Sequence, residues 1–544
     1  MGQIKLMKKI LILDPLIRDP DPTDCFDPQE FQRKIPLYLQ EYEGLMESLW
    51  TLYGQESWWL SSPLASFQVT QSTAFLNYSY LRYAQELAEK YPLEKVVCSN
   101  DHLYRGLQLF LKSEKHPQLK IQNLSSSRTL RAFKHSFTCL RFLVVGSLRK
   151  VVISFLRLKE KPLPSSLEVL VETYLLQNSF SQNQFSDRYS HSAFEGYLQS
   201  KKWSYLAHIH SDHLEIQWIQ KALNSSTSFI FIDELIPFKS RLKSFFVFLR
   251  SKRYGQNLKN PCLRWILEDI YFSFNSSQLL SHCLLDLWKN SHLQVRAFLN
   301  WGENQNVDKC LITAFKKNLP KTKIYTYLAY PTFSFYLNLI PKNYELKPSL
   351  IGDVILISYK KLFSELKQKA PPDIEVLPAP PRKKPEGETG NSQSWKVLIC
   401  LNYDQKSTEK LLQLAQHLSH SQVPIELYVV PHPNNSEDLL KTAAGLRLLK
   451  QAGPQIGSHS ILITGASSMA YEAEEKGAHI LLYPVDNGLS ILPHGEGMKL
   501  CFTKEDVQDE IKQIVSLSQK QSHTIKKHFF DTQEVNATIK ESLL

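Results

Sequence analysis

A chain of 544 residues is too long for one ordinary hydrophobic core and calls for two or three domains. Its 43% hydrophobic and 22% charged residues exclude a disordered chain, and no run of about 18 uncharged apolar residues marks a membrane-spanning helix. The net charge of +11 favours an anionic partner: nucleic acid, anionic lipid and a nucleotide-sugar all qualify.

The basic N-terminus leads into Ile10-Leu11-Ile12-Leu13, which Asp14 ends. That run is too short for a signal-peptide core and reads as a first strand. Asp19-Pro20-Asp21 spells a D-x-D pattern, with Asp24 and Asp27 close by, and reads as a solvated acidic turn. Further strands are predicted at 95–98, 204–209, 228–232, 295–299, 323–329 and 353–358, with helices between them. Residues 1–369 thus form an α/β domain with helical insertions.

Two stretches inside it are basic and apolar together. Residues 131–161 hold eight Lys or Arg and one acid, and 241–253 hold five Lys or Arg and no acid. Such segments suit the interface of an anionic membrane, or else a buried element with solvated charges at its ends. Their aliphatic company argues against nucleic acid as the partner. His208, His210, Asp212 and His213 have metal-like spacing, but no carboxylate motif completes the set. A strand end with polar side chains is the reading, and neither a metal nor another cofactor is expected. The eight cysteines include no C-x-x-C pair, so they read as small buried hydrophobes of a reducing compartment.

Residues 370–394 are rich in Pro, Gly and polar residues and read as a linker. Beyond it the order becomes regular. Strands at 395–401, 424–430, 460–464 and 479–483 alternate with helices near 407–420, 436–452, 467–477 and 504–518. This spacing implies βαβ units and a parallel sheet over 395–520, followed by a C-terminal helix in 521–544.

Two motifs of this second domain fall where a strand gives way to a helix, the place where open α/β sheets bind ligands. Pro431-His432-Pro433 follows Ile425–Val430, and the prolines hold the histidine where it can donate to a phosphate. Gly465-Ala466-Ser467-Ser468 follows Ile461-Leu462-Ile463. There the glycine permits a tight turn, one serine can cap the helix and the other can face a phosphate. Glu472, about one turn on, is placed to accept from ribose hydroxyls, and Gly477 is placed to end the helix. The motifs are read as following neighbouring strands of one sheet.

With HP and then SS after successive strands, the C-terminal part resembles the nucleotide-binding half of GT-B glycosyltransferases. It is similar more narrowly to bacterial sialyltransferases and capsule Kdo transferases, which use CMP-sugars, and to glycerophosphotransferases that use CDP-glycerol. The resemblance implies that His432 and Pro433 act on the donor phosphate side and that Ser467 and Ser468 bind the phosphate. A second resemblance rests on Trp58-Trp59-Leu60-Ser61 and on Glu303-Asn304-Gln305, which look like the W-W-x-S and E-N-Q signatures of a bacterial surface-carbohydrate biosynthesis family. Where that family carries Y-x-H, this chain has Tyr327-Leu328-Ala329-Tyr330, with no histidine.

Glu303-Asn304-Gln305 would sit at a strand end. Glu303 then suits a base for an acceptor hydroxyl, and Asn304 and Gln305 suit sugar hydroxyls, against the alternative of a capped helix start in a satisfied network. Trp58 and Trp59 read as core or as an acceptor platform. The combined expectation is two Rossmann-like α/β domains facing each other across a cleft. The activity expected is metal-independent glycosyl transfer from a nucleotide-sugar, CMP-linked, to a glycan or glycolipid. The expected setting is the bacterial cytoplasm or the inner face of its membrane. A CDP-glycerol transferase and a non-catalytic scaffold of the same fold are the alternatives.

Overall fold

The computed structural model describes residues 9–13, 25–66, 72–111, 116–124, 128–159, 163–176, 179–181, 184–187, 191–209, 213–273, 275–289, 292–329, 341–347, 349–381, 394–402, 405–432, 435, 445–449, 455–465, 467, 469–484, 498–517, 530 and 535. Among them lie three parallel sheets and one short hairpin.

The first sheet is small. Strands β1 (Lys9–Ile12), β2 (Leu93–Cys98) and β3 (Lys120–Asn123) pair in parallel in the order β1-β2-β3. The helices Pro28–Tyr53 and Ala74–Lys90 lie between β1 and β2. Asp27 starts the first of them: its carboxylate accepts from the amides of Gln29 and Glu30, and Pro28 occupies the first turn, where its missing N–H costs nothing. Tyr38, Tyr42 and Met46 recur at the spacing of one helix face and are fully buried or nearly so.

The second sheet has seven strands: β4 (Ser166–Leu175), β7 (Trp203–Ile209), β8 (Phe229–Phe231), β9 (Gln294–Trp301), β10 (Lys323–Leu328), β11 (Val354–Ile357) and β12 (Glu375–Pro378). Between β4 and β7 lies the hairpin of β5 (Phe180–Ser181) and β6 (Gln184–Phe185). The spatial order β12-β11-β10-β9-β4-β7-β8 is that of a doubly wound sheet: the chain steps outward from β4 to β8, then restarts beside β4 with β9 and steps the other way. Helices cover both faces, so the strands read as continuous apolar runs; all four residues of β11, Val-Ile-Leu-Ile, are buried.

The third sheet repeats this winding with β13 (Trp395–Cys400), β14 (Ile425–Val430), β15 (Arg447–Leu448), β16 (Ser460–Thr464), β17 (His479–Leu482) and β18 (Met498–Leu500). Its order is β15-β14-β13-β16-β17-β18, all parallel. Two Rossmann-like sheets are therefore present, as expected.

Several details depart from the sequence reading. Residues 1–369 contain two sheets, not one, yet a single apolar cluster joins Leu11, Tyr38 and Trp59 to Phe298 and Phe315, so the small sheet shares a core with its neighbour. The central strand β4 was missed because Glu168 and Glu172 break its apolar run. Strand β12 lies inside 370–394, so the linker reading is corrected there: Val376 and Leu377 extend the sheet by pairing with Ile355 and Leu356. Strand β15 lies inside the helix expected over 436–452. In 521–544 only Phe530 and Val535 are described. The Phe530 amide donates to the Ser358 carbonyl at 3.1 Å, and Val535 is buried in the core of the seven-stranded sheet. The chain thus returns from the third sheet to the second.

Gly302 leaves β9 where β10 passes closely. A Cβ at that position would lie 2.3 Å from Cγ2 of Thr326, and the Gly302 amide donates to the Tyr327 carbonyl at 2.9 Å. Gly302→Ala is expected to cost about 1–3 kcal/mol by overpacking, visible as a lower urea midpoint at unchanged slope.

Candidate functional site

Each doubly wound sheet has one place where adjacent strands send their connections to opposite sides, and ligands of such sheets bind beyond the strand ends there. In the second sheet it lies between β4 and β9; in the third, between β13 and β16. The Glu303-Asn304-Gln305 turn follows β9, and Gly465 and Ser467 follow β16.

The turn after β9 is built around buried charge. Asn304 adopts a left-handed backbone, φ 51°. Its carbonyl accepts from Nζ of Lys309 at 2.8 Å, and its side-chain amide donates to Glu345 at 3.2 Å. Lys309 and Glu345 form a fully buried ion pair at 2.9 Å. Oδ2 of Asp308 accepts the amides of Glu303 and Gln305, both at 2.9 Å, and so caps the helix Asn306–Asn318. The Glu303 carboxylate, half-buried, accepts from the indole of Trp301 at 3.0 Å and from the side-chain amide of Gln305.

Glu172, buried in β4, completes the group. It contacts Nε2 of His208 at 2.6 Å and accepts from the Trp301 amide at 3.1 Å and from the Asn300 side chain. Tyr174 stacks on the His208 ring with centroids 4.5 Å apart. Glu172, Glu303 and Asp308 thus bring three carboxyl groups to one strand end. Burial pushes the Glu303 carboxyl above its usual range. Burial, reinforced by the negative charge of Glu172, pushes Asp308 up to about 8.

A raised carboxyl pKa stabilises the fold when protonated. The contribution of Asp308 is fully present below about 4, its range when unfolded, and is lost as pH rises through about 8. Stability is expected to fall between about pH 4 and 8 in the wild type. In Asp308→Asn, which keeps an oxygen to accept the two amides, the decline is expected to be shallower; denaturant midpoints across pH read the difference.

The other crevice opens at the ends of β13, β14 and β16. Asn435 ties the turn after β14 to the end of β13: its Oδ1 accepts from the His432 amide at 2.7 Å, and its Nδ2 donates to the Asn402 carbonyl at 2.9 Å and to Oγ1 of Thr408 at 3.2 Å. His432 is half-buried on this clamped turn. Asn402 follows β13 and is 5% exposed, and its Oδ1 has no hydrogen-bond partner among the described residues. After β16, Oγ1 of Thr464 accepts the Ser467 amide at 3.0 Å, and Oγ of Ser467 accepts the Met469 amide at 3.3 Å. Ser467 therefore caps the helix Met469–Glu475. That helix ends as expected at Gly477, φ 79°, with the amides of Gly477 and Ala478 closing on the carbonyls of Glu474 and Ala473. Glu472, half-buried, lies near Cys400 at the end of β13, whose thiol burial pushes up to about 12.

Several expected site residues stand differently in the structure. The strands before His432 and Ser467 are not neighbours: β13 runs between them, so the motifs flank a strand and stand about 10 Å apart across the sheet. Trp59 is fully buried, edge-on to Trp50 and Trp58, and cannot offer a face to a sugar. Trp58 is stacked on Tyr254 at 4.0 Å. Both tryptophans belong to the core or its edge. The side-chain amides of Asn304 and Gln305 are engaged by Glu345 and Glu303, so they hold the turn in shape and leave Glu303 as its chemical group. His208 pairs with Glu172 inside the sheet. Pro433, Ser468, His210, Asp212 and the D-x-D pattern lie outside the described residues. The sequence reading missed Asn402, Asn435, Asp308, Glu172 and the Lys309–Glu345 pair. Only Asn402 had a clear signal, as the polar residue that ends the apolar run Trp395–Leu401.

The strand ends of the two sheets touch at one point. Tyr359, just beyond β11, meets Tyr471 of the helix that follows β16, with ring centroids 5.8 Å apart. Two doubly wound sheets meeting in this way define a Rossmann-like α/β protein whose strand orders fit a two-domain GT-B arrangement. No protein-family model matches the chain, and no curated protein matches it in sequence. Among solved structures it is similar to the UDP-GlcNAc 2-epimerase from Neisseria meningitidis bound to UDP-GlcNAc, at 10% identity over 69% of this chain and 99% of that one, TM-score 0.40. It is similar also to MurG of Acinetobacter baumannii, at 13% identity over 69% and 99%, TM-score 0.34. A third is the lipopolysaccharide outer core galactosyltransferase WaaB, at 11% identity over 69% and 99%, TM-score 0.32. These likenesses are distant, and the fold assignment rests on the strand order itself.

Proposed function

We propose that this protein is a GT-B-like glycosyltransferase that takes a nucleotide-sugar, CMP-linked, beyond the third sheet and an acceptor hydroxyl at the Glu303 turn. What supports this reading is the contact of Tyr359, beyond β11, with Tyr471, which brings the strand ends of the two sheets together, one set carrying carboxyl groups and the other His432, Asn402 and a hydroxyl-bearing turn.

In this reading the acceptor oxygen attacks the anomeric carbon, and its proton passes to the Glu303 carboxylate. The bond from that carbon to the phosphate oxygen breaks, and the nucleotide leaves with the electron pair. The His432 imidazole donates a hydrogen bond to the departing phosphate, where the negative charge gathers. Asn402 supplies a fixed amide beside the same strand ends. Burial keeps the Glu303 carboxyl basic enough to take a proton, which an exposed carboxylate does poorly.

Transfer and donor-hydrolysis assays with CMP-sugars, UDP-sugars and CDP-glycerol test the proposal. Sugar transfer that falls about 10²–10³-fold in His432→Ala is the expected result. Turnover of CDP-glycerol with no sugar transfer, or unchanged transfer in His432→Ala, would overturn it.

A further inference from the structure

The helix Arg128–Lys159 buries Cys139 and Ile153 together with a charge: its Arg149, and Arg241 of the neighbouring helix, both reach the buried Asp233, at 3.4 Å and 2.7 Å. Its outward face carries hydrophobes. Phe133, Phe137, Leu140, Val144, Leu148 and Val151 are between 48% and 71% exposed. Single exposed hydrophobes are ordinary, but a contiguous patch of this kind marks a surface that is covered in use.

These side chains recur at intervals of four and three residues along one face, a stripe about 27 Å long at 1.5 Å per residue. Phe133 and Leu140, and Phe137, Val144 and Val151, are also seven apart, so the spacing suits a flat surface and a partner helix alike.

The charge chooses between them. Lys134 is exposed at the flank of the stripe, and the whole helix contains eight Lys or Arg and no acid. The helix Phe238–Arg250 crosses it where Arg241 lies over Gly146. That second helix exposes Phe238, Leu242 and Phe246 together with Lys239, Lys243 and Arg250, and it too contains no acid. A second copy of this chain would bring basic rims together with nothing opposite to neutralise them. Among the described residues no helix is long and apolar enough to cross a membrane.

We infer that these two helices dock the protein on an anionic lipid surface. The stripe of Arg128–Lys159 lies flat at the boundary between headgroups and acyl chains, and Lys134, Lys239, Lys243 and Arg250 meet the lipid phosphates. The inward ion pairs keep the helix from rolling, so the apolar face stays outward when the surface is absent.

Flotation of the full chain with vesicles tests this. The wild type is expected to float with vesicles of phosphatidylcholine and phosphatidylglycerol, roughly two to one, and weakly with phosphatidylcholine alone. Phe137→Ser with Val144→Ser is expected to lower the affinity about a hundredfold, and Lys239→Gln with Lys243→Gln roughly 30-fold on the anionic vesicles only. All four side chains are exposed, so both double variants should melt at the wild-type temperature. No flotation of the wild type, or equal flotation of the serine variant, would overturn the inference. So would a wild-type dimer in sedimentation that the serine pair dissociates without any vesicle binding.

Discussion

A Lys309→Ala protein is expected to be about 3–5 kcal/mol less stable than the wild type. Lys309 and Glu345 are both fully buried and 2.9 Å apart. Among the described residues, removing the ammonium leaves the Glu345 carboxylate with the Asn304 side chain at 3.2 Å and the Lys342 amide at 2.7 Å as donors, too little to offset its lost hydration. The double variant Lys309→Met, Glu345→Leu removes both charges and is expected to recover most of the loss. Equilibrium unfolding in urea reads both. The double variant is also expected to lose transfer activity while staying folded, because the left-handed turn at Asn304 would no longer be clamped from below.

Glu303→Gln is expected to lower sugar transfer by about 10²–10⁴-fold, the usual worth of a general base. Glutamine keeps the shape and an oxygen to accept the Trp301 indole at 3.0 Å, so stability should change little. The pH profile separates a base from a structural residue. The carboxyl works only when ionised, and burial raises its pKa, so the wild-type rate should climb with pH through that raised value. The residual rate of the glutamine variant should show no such limb. A profile identical in both proteins would assign the climb to another group, with Asp308 next to be tested.

The parallel sheets were legible in the sequence because buried parallel strands are short apolar runs between helices. Ile461–Ile463, Val354–Ile357 and Phe229–Phe231 all stood out for this reason. Strand β4 was hidden by Glu172, whose partners His208, Asn300 and Trp301 come from two other strands and leave no local trace. The same holds for the site. The turns at His432, Ser467 and Glu303 could be placed at strand ends from their neighbours in the chain. That β13 lies between the first two is a matter of winding order, which spacing does not encode. Trp59 read equally as core or as an acceptor platform from its motif, and tertiary packing places it in the core. The pairing of Lys309 with Glu345 joins residues 36 apart, with no signal at either end. The outward stripe of Arg128–Lys159 was visible only as a basic and apolar segment. Which face the body of the protein covers is set by tertiary contacts, the ion pairs of Asp233 among them.

Thermal shift with CMP, CDP, UDP and GDP compounds checks whether the strand ends of the third sheet hold a nucleotide, as proposed. A ligand at 100 times its dissociation constant stabilises the folded state by about 2.7 kcal/mol, enough to raise the melting temperature by several degrees. Such a rise is expected with CMP compounds, together with its loss in Asn402→Ala and His432→Ala proteins that melt normally without ligand. A melting temperature unmoved by any of the four nucleotides, or raised equally in both variants, would contradict it.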